Sequence, residues 1–61
     1  MKVPIQAQVQ AIERELGYRR RVYARLVGQG RMTQADANYH IHTMEAVLET
    51  LQEVEKGSRL I

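Results

Sequence analysis

The chain has no cysteine, a single serine and no long apolar run, and each shortage removes a class of protein. Without cysteine there is neither a disulfide framework nor a thiolate metal site, and a reducing, intracellular setting fits. No hydrophobic stretch approaches the roughly 20 residues that cross a bilayer. The opening MKVPIQAQVQ lacks the apolar centre of a signal peptide, so a cytoplasmic location is expected. The one serine, Ser58, stands near the end of the chain. The segment GQGRMT lacks the preceding strand and the lysine of a phosphate-binding loop. Nothing in the spacing of the glutamates marks a pocket that would shift their pKa. These shortages predict a protein that is not an enzyme and needs no cofactor.

Sixty-one residues make one domain at most. A chain of that size buries only about 60% of its unfolded surface, and small scaffolds usually recruit a disulfide, a metal or a second chain. With no cysteine available, self-association is the expected source of the missing stability.

What the chain does have is charge, unevenly laid out. The net charge of +2 is mild, but six arginines lie between Arg14 and Arg31 against one acid, Glu15. From Asp36 to Glu55 there are five acids and no lysine or arginine. The densest basic run is YRRRVYARL, Tyr18 to Leu26.

Hydrophobic periodicity supplies the architecture. Ile5, Val9, Ile12, Leu16, Arg19, Tyr23 and Leu26 recur at steps of four and three, as do Ala37, Ile41, Met44, Leu48 and Leu51. That is the pattern of a helix packing along another helix. Pro4 suits a first helical turn, GQG (Gly28–Gly30) a helix end, and Thr33 with Asp36 a capping box, with Met32 packing back on Ala37. The spacing predicts helix over 4–27, a turn at 28–33, helix over 34–56 and a frayed tail at 57–61, ended by Gly57. In an antiparallel hairpin, facing residues have numbers of nearly constant sum. Val9 with Leu51, Ile12 with Leu48, Leu16 with Met44, Arg19 with Ile41 and Tyr23 with Ala37 all give the same total. The fold class is therefore all-α, an antiparallel helical hairpin, and dimerisation into a four-helix bundle is its natural closure.

Two weaker lines flank the seams: Ala11, Tyr18 and Val22 on the first helix, and His40, Val47 and Val54 on the second. They are the expected oligomer interface of a homodimer. An antiparallel dimer sets each basic half beside the partner's acidic half, a complementarity that steers pairing. His40 and His42, two residues apart, diverge by about 200° on a helix and cannot chelate one ion, so no metal site is expected. A membrane-surface role is not expected either, because the apolar stripe of the basic helix is needed by its neighbour.

Successive helical residues are about 100° apart, so Arg19, Arg20 and Arg21 cannot share one direction. Arg19 points into the seam, within reach of Glu15 or a partner chain. Arg14, Tyr18, Arg21 and Arg25 form an outward line, with Arg31 at the turn. Rigid guanidinium forks around a tyrosine can receive carboxylate or phosphate. These five residues are the candidate partner-binding set, for an acidic protein surface or for nucleic acid. The plain alternative is a solvated face that sets solubility and dimer orientation.

The run from Arg19 to Leu51 resembles a group of short proteins of tailed phages and prophages of proteobacteria. The resemblance rests on Arg19–Arg21, Val22 and Tyr23, on Gly30–Thr33, and on Met44–Ala46. It covers just over half the chain. Many members of that group carry a proline where this chain has Ala24, which keeps the helix unbroken. The group has no defined activity to carry over. It implies a setting: a small accessory protein in a bacterial host cell that acts by binding a host protein, to inhibit or modulate a host factor such as a defence component. A nucleic-acid-binding bundle using the same arginines is the second reading. An oligomeric sponge for an anionic nucleotide is the third.

Overall fold

Packing of the two apolar stripes against each other determines the architecture. The computed structural model describes residues 2–59 as two helices, α1 (Ile5–Gly28) and α2 (Gln34–Arg59), folded back on each other as an antiparallel hairpin. The hairpin measures 48 × 19 × 16 Å, so it is a single layer of two helices.

The first helix begins at Pro4, which occupies the cap with an extended ψ rather than the first turn. Its carbonyl accepts hydrogen bonds from the amides of Ala7 and Gln8, and the Gln8 side chain donates to the Val3 carbonyl at 2.9 Å. The helix ends in a Schellman motif. Arg31 N–H donates to the Leu26 carbonyl at 2.9 Å and Gly30 N–H to Val27 at 3.0 Å. This pattern needs a left-handed residue at position 30, and Gly30 has φ 71°, the only positive φ among the described residues. Of the two glycines in GQG, Gly28 closes the helix and Gly30 makes the reversal.

Thr33 starts α2. Its Oγ1 accepts from the Asp36 amide at 3.1 Å, the threonine half of the expected capping box. Met32 is half-buried and Ala37 almost fully buried, as the expected staple between them requires. At the far end the expected stop at Gly57 does not occur: α2 runs through it to Arg59. Gly57 lacks a left-handed φ, so it costs the helix some stability without ending it. The expected tail is thus helical as far as residue 59, and residues 60–61 lie outside the described residues.

The seam lies where the periodicity places it. Val9, Leu16 and Ala37 are the buried hydrophobic residues, at 7%, 3% and 4% exposure. Every other member of the two stripes is half-buried. Two side-chain contacts join the helices: Arg20 reaches along to Glu45, and the Tyr23 ring lies 6.1 Å from that of His40. Ala37, the small residue the spacing sets opposite Tyr23, is among the most buried positions of the seam.

Two substitutions test this account. Leu48→Asp places a carboxylate in the seam at a cost of roughly several kcal/mol, so far-ultraviolet circular dichroism should show loss of the folded helices. Gly30→Ala should lower stability by about 1 kcal/mol because alanine resists the left-handed region. Gly57→Ala, with open space around its new β-carbon, should instead raise it by about 0.5–1 kcal/mol. Thermal melts of the two alanine variants should move in opposite directions.

Candidate functional site

The arginine triplet is divided by helix geometry into three different environments. Arg19, on the seam, turns back along α1 and donates from Nε to Glu15 Oε1 at 2.8 Å. That hydrogen bond raises the Arg19 pKa above the ordinary arginine value. Arg20 reaches across to α2, where its Nη2 lies 2.8 Å from Glu45 Oε2. Arg21 points away from α2, and its Nη1 lies over Gly17, 3.9 Å from where a β-carbon would stand. Arg19 thus lies beside Glu15, as its helical spacing predicts. Spacing alone sets Arg20 at the flank of the seam, and the structure adds its ion pair with Glu45.

Arg14, Arg21 and Arg25 occupy the back of α1, turned roughly 180° from the Val9–Leu16–Tyr23 seam. All three are exposed, and so is Arg31 in the turn. Tyr18 is 56% exposed beside them. The ridge from residue 14 to residue 25 extends about 16 Å along the helix. Among the described residues, none of these four arginines forms a salt bridge, whereas Arg19 and Arg20 both do. The ridge therefore holds guanidinium forks with free donors next to an aromatic face, an arrangement that can grip carboxylates or phosphates. Glu49 and Glu53 are exposed on the back of α2, so the two long edges of the hairpin carry opposite charge.

The expected interface residues also reach the surface. Ala11, Tyr18, His40, Val47 and Val54 are exposed and Val22 is half-buried. His40 sits between two tyrosines, with the Tyr39 ring edge-on at 5.5 Å and Tyr23 tilted at 6.1 Å. A shallow open groove of about 340 Å³ lies on α2, lined by Thr43, Ala46, Val47, Thr50 and Leu51. The threonines of this groove were missed by reasoning from apolar residue types. Their hydroxyls donate to backbone carbonyls one turn earlier, Thr43 to Tyr39 at 2.8 Å and Thr50 to Ala46 at 3.0 Å. With the hydroxyls so engaged, the methyl groups make the groove wall apolar. Thr43 and Thr50, seven apart and interleaved with Val47 and Val54, also seven apart, are the signal that could have revealed it.

Among the described residues, no three His, Asp or Glu side chains converge as a metal site, and no helix is long and apolar enough to cross a membrane. Comparison of the chain with protein families, curated proteins and solved structures returns no match.

The Arg20–Glu45 pair is half-exposed at both ends, with side-chain exposures of 54% and 43%, so it is an orienting contact and not a main source of stability. Arg20→Ala should cost at most about 1 kcal/mol in a denaturant melt, and less at high salt.

Proposed function

We propose that the chain works by protein–protein interaction, presenting Arg14, Tyr18, Arg21, Arg25 and Arg31 to an acidic surface of a bacterial host protein and so inhibiting or modulating it. The observation that carries this reading is the unequal treatment of the arginines. Two are bonded within the hairpin, and the four on the ridge and turn are exposed and, among the described residues, form no salt bridge. A guanidinium ridge of about 16 Å matches a short stretch of partner helix or loop bearing two or three carboxylates. The resemblance to short phage and prophage proteins supplies the setting, a bacterial cytoplasm, and favours a host factor such as a defence component as the target. In this reading the hairpin acts as a homodimer. The shape also supports binding over chemistry: the groove on α2 is lined by no ionisable side chain.

Tyr18 favours a second reading. An exposed ring among arginines can stack on a nucleotide base, so the same ridge suits a single strand of nucleic acid. Against it, Glu49 and Glu53 on the opposite edge repel a phosphate backbone long enough to pass around the hairpin.

Capture from bacterial lysate separates the two readings. The tagged protein should retain one host protein after nuclease treatment, and Arg21→Glu should abolish that retention. Recovery of nucleic acid alone, with log affinity falling by about one unit per phosphate contact on a log-salt scale, would instead make the ridge a phosphate grip.

A further inference from the structure

The face of α2 from His40 to Val54 has helical spacing of its own. His40, Thr43, Val47, Thr50 and Val54 recur at steps of three and four, a second heptad line turned about 100° from the seam that faces α1. The Arg20–Glu45 bridge closes the other side of that seam, and only His40 at the start of this line meets α1, through Tyr23, while Thr43, Val47, Thr50 and Val54 are exposed. Val47 and Val54 are 40% and 51% exposed. The face carries no carboxylate, lysine or arginine between His40 and Val54, because Glu45, Glu49 and Glu53 all project elsewhere on the helix.

We propose that this line is a self-association seam, occupied by α2 of a second copy running antiparallel about a two-fold axis at Val47. Three observations point to a copy of the chain as the occupant. The first is area. A compact monomer of 7.1 kDa exposes about 4,100 Å². The hairpin exposes 4908 Å². The excess, roughly 800 Å², is what one partner contributes to an interface of standard size. The second is self-complementarity. Val47 is flanked by Thr43 four residues before and Thr50 three residues after, so antiparallel copies that place Val47 on Val47 bring the threonines of the two copies within one residue of the same level on either side. The side chains of Thr43, Ala46 and Thr50 are small, which allows two helices to approach closely. The third is charge. Antiparallel alignment carries Glu53 of one copy level with Ile41 of the other, beside His40, and keeps the two Glu53 carboxylates about 18 Å apart along the axis, while Glu49 comes level with the second copy's Glu45. Parallel α2 helices would set each of these carboxylates level with its own copy.

The seam refines the expected dimer. It assigns the central contact to α2, with Val47 at its middle, and leaves the arginine ridge on the back of α1 open on both copies. It does not depend on which partner the ridge binds, and its failure is distinguishable from the failure of host-protein capture.

Because the chain has no native cysteine, single cysteines report the geometry directly. Under mild oxidation Val47→Cys should form a covalent dimer on a non-reducing gel. Val54→Cys alone should not, whereas a mixture of Val54→Cys and His40→Cys chains should cross-link with each other. Sedimentation equilibrium should show a dimer for the native chain and a monomer for Val47→Asp, with Arg21→Glu still dimeric. A monomeric native chain, a Val47→Cys chain that does not cross-link, or a Val54→Cys chain that cross-links to itself as readily would overturn the proposal. So would a monomeric chain in which Val47→Asp, and not Arg21→Glu, abolishes host-protein capture, because the line would then belong to the foreign partner.

Discussion

Everything in this hairpin depends on one line of contact between two helices. A pair of helices shares only one side of each cylinder, so burial is confined to Val9, Leu16 and Ala37, with their stripe neighbours half-covered. Hydrophobic stabilisation follows the apolar area removed from water, at about 25 cal/mol per Å². A single-layer molecule 16 Å thick has little such area to remove. The local devices compensate in part by making the helices and their reversal well defined. Pro4, the Schellman turn at Gly30 and the Thr33 cap each satisfy backbone groups that would otherwise be left open at a helix end.

The register of that line also decides what the charges do. Rotation by about 100° per residue sends three consecutive arginines to three destinations: Glu15 on the same helix, Glu45 on the other helix, and solvent. Arg19 and Arg20 are thereby consumed by the fold, and Arg21 joins Arg14 and Arg25 on a ridge the fold does not use. A slip of one residue would exchange these roles. The seam, laid down for packing reasons, thus determines which arginines remain available to a partner and which side of α2 stays open.

Most of the architecture could be read from the sequence because both stripes carry strong four-three spacing and agree on one register. The cap at Thr33 and the reversal at Gly30 rest on residue chemistry that is local and specific. What escaped has physical reasons as well. Which side of an antiparallel seam a flanking residue occupies depends on the rotation of both helices, so the Arg20–Glu45 pair was not legible from either helix alone. Gly57 looks like a stop, but a glycine ends a helix only where the chain turns left-handed, and there it does not. The groove on α2 was hidden because threonine counts as polar until its hydroxyl is seen to bond to its own backbone, as Thr43 and Thr50 do. The arginine ridge, by contrast, was fully visible, since exposed positions on the back of a helix follow from the seam alone.

The central claim is that the folded state of this hairpin is completed by a second layer. The most direct measurement is thermal unfolding, followed by circular dichroism at 222 nm, over roughly a hundredfold range of chain concentration. If association completes the fold, Tm rises with concentration, because mass action favours the assembled state. A Tm that stays constant across the whole range would contradict the account and make the hairpin a self-sufficient monomer.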